Sequence, residues 1–165
     1  MYPFQNLTHE IIASAIEVHK SLGPGLLESV YRLCLQLEFA HRKIQYQKEL
    51  DIPLFYRSQK IERAFRIDFL IENEVVLELK SSEGILPVHE AQLLTYLKLS
   101  GKQIGLLINF NVSLLKNGIR RCILTRNKPV YTEFEMRRSD AENVTKDRCP
   151  LSECSKLLER SNTLE

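Results

Sequence analysis

The chain has 165 residues, enough for one domain with a real core and too few for two of ordinary size. Its hydrophobic fraction of 44% and charged fraction of 27% are those of a globular protein rather than a disordered or fibrous one. A formal net charge of +2 sets up no global field for a polyanion, so any nucleic-acid footprint has to be a local patch.

No apolar run approaches the roughly 20 residues of a membrane span, and the first residues lack the pattern of a secretory signal. The expected location is the cytoplasm, without a membrane partner. Cys34 and Cys122 sit within apolar segments and read as buried small hydrophobes. Cys149 and Cys154 lie in a polar tail with no nearby His to complete a zinc site.

Thr8 is the expected N-cap of a first helix, in which Ile11, Ala15, Val18 and Leu22 recur at helical spacing until Gly23-Pro24-Gly25 stops it. A second helix is predicted from about Leu26 to Arg42. It is apolar on most sides and so expected to be largely buried. The period then becomes alternating. Strands are predicted over Gln45–Phe55, Ile61–Ile71 and Val75–Lys80, with turns at 56–60 and at Glu72-Asn73-Glu74. Pro87 opens a third helix that runs to about Leu99 and ends at Gly101. Ile104–Phe110 is a continuous apolar run, the pattern of a strand covered on both faces, and Ile119–Leu124 is a further strand. From Thr125 the apolar pattern fades. Residues 126–165 read as a weakly structured extension with one short helix near 152–160, leaving residues 1–125 as the domain. The order ααβββαββ predicts an α/β fold with a mixed sheet flanked by helices.

The chemistry concentrates on the hairpin Arg66-Ile67-Asp68-Phe69-Leu70-Ile71 and Val75-Val76-Leu77-Glu78-Leu79-Lys80. Alternation puts Phe65, Ile67, Phe69 and Ile71 on one face and Arg66 and Asp68 on the other, while Glu78 and Lys80 share a face. An odd-numbered loop centred on Asn73 sets Asp68 across from Glu78 and Arg66 across from Lys80. A two-residue loop would send the two acids to opposite faces. Opposed carboxylates destabilise a sheet, and a divalent cation turns that repulsion into coordination. Two carboxylates with water and a phosphate oxygen form the ligand set of Mg²⁺. Lys80 then stands where an ammonium meets the attacking water or the charge developing on a phosphate. The alternative is a solvated face on which Arg66 and Lys80 neutralise the acids.

Gly25, Glu28 and Tyr31 are three apart and are expected to line one face of the second helix, with Glu28–Arg32 as the alternative helical ion pair. His89, Gln92 and Tyr96 share a face of the third helix, where His89 reads as a polar edge and Gln92 and Tyr96 can reach the hairpin.

These segments resemble the GxxExxY family of the PD-(D/E)XK nuclease superfamily. The likeness is carried by Val18-His19, Gly23-Pro24-Gly25-Leu26-Leu27-Glu28-Ser29-Val30-Tyr31, the Asp68–Lys80 hairpin, Gln92-Leu93-Leu94-Thr95-Tyr96-Leu97 and Leu107-Ile108-Asn109-Phe110. It covers about Leu7 to Leu124, with Ile67 where the superfamily's name has Pro. The resemblance implies a restriction-endonuclease-like core. It also implies that Glu28, Asp68, Glu78 and Lys80 converge as a catalytic set, as in archaeal Holliday-junction resolvases. Gln92 and Tyr96 look like the Gln-x₃-Tyr element of the RecB-type branch.

The activity that follows is metal-dependent cleavage of a nucleic acid, DNA ahead of RNA. Glu28, Asp68, Glu78 and the Leu79 carbonyl would hold Mg²⁺ or Mn²⁺. Tyr31, Arg66, Gln92 and Tyr96 are the expected site or substrate supports, with Arg32, Lys98 and Lys102 as further phosphate contacts. The rival classes are a non-catalytic nucleic-acid-binding domain and a protein-interaction module, such as a homodimer formed through the first two helices. An exposed apolar patch on those helices would favour the latter.

Overall fold

Ile11, Ala15 and Val18, spaced as one helical stripe, are all buried, and they fix the first layer of the fold. The computed structural model describes residues 4–124. Its elements are α1 (Gln5–Leu22), α2 (Glu28–Arg42), β1 (Tyr46–Tyr56), β2 (Gln59–Ile71), β3 (Val75–Lys80), α3 (Pro87–Ser100), β4 (Ile104–Asn109), a 3₁₀ turn (Leu115–Gly118) and β5 (Ile119–Ile123). The order is the predicted one. The C-terminal extension, its expected short helix, Cys149 and Cys154 lie outside the described residues.

The strands form one sheet in the order β1-β2-β3-β4-β5. All neighbours are antiparallel except β3 and β4, which are parallel and joined by α3 as the crossover such a pair requires. On one face α1 and α2 bring Ile11, Ala15, Tyr31, Leu35 and Phe39 against Phe69, Leu77 and Ile108. On the other, α3 brings Leu93, Tyr96 and Leu97 against Ile52, Val76 and Leu107. Every residue of β4 is buried, as its unbroken apolar run implies. At Gly105 a Cβ would lie 2.8 Å from Leu93, so α3 packs closely against a strand position where any added side chain would force Leu93 to shift.

Three details differ from the sequence reading. α1 starts at Gln5, and Thr8 is inside its first turn rather than its N-cap: the Thr8 hydroxyl donates to the Gln5 carbonyl at 3.0 Å and accepts from Arg121 at 2.8 Å. α2 is not largely buried. Tyr31, Leu35 and Phe39 are, but Leu33 and Leu37 are 60% and 73% exposed, because a helix lying on a sheet offers it only one stripe. β2 does not keep one face. Phe65 and Ile67 pack with the α3-side cluster, whereas Phe69 and Ile71 belong to the α1–α2 side. The alternation breaks around Asp68, across from Glu49, which lies between the pairs Lys48↔Phe69 and Leu50↔Ile67 and has a left-handed backbone with φ 50.

Candidate active site

The three-residue loop after β2 gives the predicted register, Ile71↔Val75, Leu70↔Val76 and Phe69↔Leu77. The pairing stops there, and Asp68 meets β3 through its side chain instead. There the Leu79 N–H donates to Asp68 Oδ2 at 2.9 Å, so a side-chain carboxylate takes a backbone donor of β3. This fixes the Asp68 carboxylate at the β2–β3 seam.

Glu78 is 4% exposed, a carboxylate in a strand whose neighbours are core. Lys80 Nζ donates to Glu78 Oε1 at 2.6 Å, while Glu78 Oε2 is buried with no hydrogen-bond partner among the described residues. Burial first, and then the nearby Asp68 charge, push the Glu78 carboxyl up to about 7. Burial works against the charged Lys80, but the hydrogen bond to Glu78 and the charges of Glu78, Glu28 and Asp68 outweigh it and raise the Lys80 ammonium above its usual range.

Glu28 is the first residue of α2, so Gly25 belongs to the loop before it and not to a shared helical face. That loop is fixed by three hydrogen bonds. Tyr31 Oη donates to the Gly23 carbonyl at 2.6 Å and accepts from the Leu26 N–H at 3.2 Å, and Ser81 Oγ donates to the Leu26 carbonyl at 2.6 Å. Gly25, at φ 93, takes a backbone conformation that favours glycine. Ser81 directly follows Lys80, so its bond to Leu26 ties the end of β3 to the start of α2. The Glu28 carboxyl is raised chiefly by burial, with Lys80 lowering it and Asp68 raising it. Glu28, Asp68, Glu78 and Lys80 therefore feel one another's charge.

Tyr96 is buried on α3, and Gln92 Nε2 donates to its hydroxyl at 2.5 Å. Burial first, and then the Glu78 charge, raise the Tyr96 phenol, so the field of the acids reaches this pair. Tyr31 is elsewhere. It is fully buried, stacks on Phe110 with ring centroids 4.3 Å apart and acts only through the loop before Glu28. Arg66 neither faces Lys80 nor neutralises Asp68: its guanidinium pairs at 2.8 Å with Asp51, its cross-strand partner on β1. Asp68 is paired instead with Arg32, at 2.7 Å, and Arg32 also meets Glu28 at 3.3 Å. Lys102 donates to Asn73 in the β2–β3 turn, at the opposite end of β3 from Lys80. His89 Nδ1 accepts from the Leu86 N–H and caps α3.

Among the described residues no three His, Cys, Asp or Glu side chains form a ready metal-ligand cluster. Arg32 and Lys80 hold the acids in separate ion pairs. The donor chemistry nonetheless fits a hard divalent cation: the acids are all oxygen donors, and Glu78 Oε2 is buried without a partner.

Sequence reasoning missed the bracing residues. Asn109, 1% exposed, accepts from the N–H groups of Ser82 and Asn111 and donates to the Ser82 carbonyl, holding the loop that leaves Lys80. A lone amide ending the run Ile-Gly-Leu-Leu-Ile was the available signal, since a buried amide needs partners. Ser81 gave no comparable signal.

The chain belongs to the PD-(D/E)XK nuclease superfamily, whose family model matches residues 5–122. The mixed five-stranded sheet with flanking helices is consistent with that superfamily's core. Among solved structures, the crystal structure of SSO0001 is similar at 16% sequence identity and a TM-score of 0.48, over 90% of this chain and 71% of that one. No curated protein matches the chain. Among the described residues no helix is long and apolar enough to cross a membrane.

Proposed function

We propose that the protein is a divalent-metal-dependent nuclease that hydrolyses phosphodiester bonds, a cytoplasmic member of the GxxExxY branch acting on DNA before RNA. The observation that carries this reading is Glu78: a buried carboxylate, raised to about 7, with one oxygen bonded to Lys80 and the other unpartnered. Strained groups of this kind concentrate where charge is put to use.

Glu28, Asp68 and Glu78 would hold Mg²⁺ or Mn²⁺, with the Leu79 carbonyl as a further donor. When bound, such an ion supplies positive charge against the scissile phosphate and acidifies water. Asp68 Oδ2 is held by the Leu79 N–H, and Oδ1, which pairs with Arg32, is the oxygen that would turn to the cation. Lys80 keeps its proton and presents an ammonium to the water or to the negative charge that grows on the phosphate oxygens. The Gln92–Tyr96 pair forms the α3 wall of the site and orients a hydroxyl beside Glu78. Arg32 pairs with Asp68 and Glu28, and with an ion held by those acids its guanidinium would be available to a phosphate. The test is a cleavage screen on single-stranded, duplex and branched DNA and on RNA, with Mg²⁺ and with Mn²⁺, beside Glu78→Ala. Nucleic-acid binding with no cleavage under any condition would leave a non-catalytic domain that retains the fold.

Exposed Leu33 and Leu37, one helical turn apart on α2, favour an additional protein contact. Leu37 borders a groove between α1 and α2 that is also lined by Val18, Leu22 and Cys34. A homodimer through this face predicts that Leu37→Glu shifts sedimentation toward the monomer and removes any concentration dependence of the melting temperature.

A further inference from the structure

β2 is 13 residues long and β3 only 6, and their pairing stops at Phe69↔Leu77. Because the two strands are antiparallel, the residues of β2 before Asp68 run on past the end of β3 at which Lys80 stands. There β2 has only β1 beside it, and β1 is the sheet edge. From Asp68 back to Gln59 this two-stranded ribbon reaches roughly 20–25 Å beyond the acidic site, at about 3.3 Å for each step of β1 from Glu49 to Tyr56, with extra β2 residues taken up in one irregularity. That irregularity lies between the pairs Ile52↔Phe65 and Leu54↔Ile61, where Arg63 has φ 52. The base of the ribbon touches the site, since Phe65 meets Tyr96 edge-on with centroids 5.9 Å apart.

The outer part of the ribbon breaks the usual rule for an uncovered strand pair. Phe55 and Tyr56 are 67% and 58% exposed. As neighbours on one strand they point to opposite faces, so each face of the ribbon offers a solvent-exposed aromatic ring. Positions 54–64 hold Arg57, Lys60 and Arg63 against Glu62 alone, an excess of two positive charges and equal to the net charge of the whole chain. Lys60 pairs with Glu62 and Arg63 with Asp51, but these pairs are solvent-exposed and weak enough to be exchanged for phosphates. The tip is held in a costly form: Arg57 and Ser58 both have positive φ, where a two-residue hairpin normally uses Asn-Gly, and Arg57 lies over the Tyr56 ring at 5.5 Å.

We propose that this ribbon is a second nucleic-acid contact, a stacking arm for an unpaired strand that runs out of the acidic site. Bases stack on Phe55 and Tyr56, and Arg57, Lys60 and Arg63 meet the phosphates. The inference rests on the nuclease reading and adds a substrate class to it. Flat aromatic faces suit bases that are free of a partner strand, whatever their identity, and the basic side chains supply the salt-dependent part of the affinity.

The experiment measures fluorescence anisotropy of a labelled oligothymidylate and of a blunt duplex with Mg²⁺, in the Glu78→Gln background so that the probes stay intact. Adding Phe55→Ala and Tyr56→Ala should weaken oligothymidylate binding about ten-fold or more and leave the duplex nearly unaffected. Adding Arg57→Ala and Lys60→Ala should flatten the salt dependence by about 0.7 for each phosphate that is no longer neutralised. Thermal melting should not move, because the four side chains lie outside both core clusters. Nucleic-acid binding that the aromatic variant leaves unchanged, or weakens only for the duplex, overturns the arm and spares the nuclease reading. An aromatic variant that alters only self-association makes the ribbon a protein contact and equally overturns it. Failure of the Glu78→Gln protein to bind either probe, with wild type showing neither binding nor cleavage, overturns both.

Discussion

Arg32 Nη2 stands 2.7 Å from Asp68 Oδ1, and the same nitrogen is 3.3 Å from Glu28 Oε1. A cation carried by α2 thus bridges an acid of the sheet and an acid of its own helix. In the metal-free protein the guanidinium relieves part of the repulsion between carboxylates that a divalent ion would relieve by coordination.

Arg32→Met should therefore separate stability from metal affinity. Removing a partly buried cation leaves Asp68 without its partner and should cost the metal-free protein about 2 kcal/mol. The variant should recover more stability than wild type on adding Mg²⁺ or Mn²⁺, because the ion no longer competes with the guanidinium. Thermal melts with chelator and with metal check this. A variant as stable as wild type in chelator would show that the Arg32–Asp68 pair contributes nothing.

The Ser81–Leu26 hydrogen bond carries a second prediction. It connects the residue after Lys80 to the loop that delivers Glu28. Ser81→Ala should cost about 1 kcal/mol of stability. It should also lower kcat more than KM, because Glu28 and Lys80 lose their fixed relation while the substrate surface is intact. Urea melts and steady-state cleavage read the two effects separately.

What the sequence carried and what it did not divide along a physical line. The register Ile71↔Val75 through Phe69↔Leu77 was legible because an odd loop and the apolar pattern determine it, but it ends before Asp68, where the alternation breaks. Glu28 and Tyr96 were singled out from helical spacing together with family resemblance. The partner of each charge was not legible. Arg66 and Arg32 are equally basic on paper, and only the β1–β2 register, which sets Arg66 across from Asp51, and the packing of α2 on the sheet decide that Asp68 pairs with Arg32. That the Tyr31 hydroxyl bonds Gly23 and Leu26, in the loop before Glu28, was not legible either. Which stripe of α2 meets the sheet was also hidden, since Leu33 and Leu37 are as apolar as Leu35.

The Glu78 shift fixes a pH dependence with a definite sign. Its carboxyl is raised in the folded protein from 4.5 to about 7, so the folded state holds the proton more tightly than the unfolded one. The stabilisation is fully present below about pH 4.5 and is lost as pH rises through about 7. It is worth up to about 3 kcal/mol at 1.36 kcal/mol per unit. Glu28 is raised as well and acts in the same direction. In chelator, the stability of wild type relative to Glu78→Gln should fall across that window, because glutamine does not titrate. Metal binding should run the opposite way and tighten as pH passes 7, since the ion needs the carboxylate. Urea melts of both proteins from pH 4.5 to 8 give the first, and calorimetric titration with Mn²⁺ gives the second. A flat difference between the two proteins would mean that Glu78 is ionised at no cost.

Two substitutions then distinguish a metal-dependent nuclease from a structural charge network. Glu78→Gln keeps the shape, removes a buried charge and leaves an amide that can still accept from Lys80. The metal-free fold should be as stable as wild type at neutral pH or more so, with metal binding weakened and cleavage abolished. Lys80→Met removes the ammonium but leaves the three carboxylates. Metal should still bind, more tightly if anything because a competing cation has gone, while cleavage falls by at least about a hundred-fold for loss of a charge placed against the transition state. A structural network predicts the reverse pattern. Glu78 and Lys80 would then be partners whose separation costs stability in either variant, by about 3 kcal/mol for a buried pair, and neither Mg²⁺ nor Mn²⁺ would restore it. Wild-type protein that takes up no Mg²⁺ or Mn²⁺ in calorimetry, with or without nucleic acid, together with a Glu78→Gln variant less stable than wild type at pH 8, would rule out the nuclease and leave Arg32, Glu28, Asp68, Glu78 and Lys80 as a brace between α2 and the sheet.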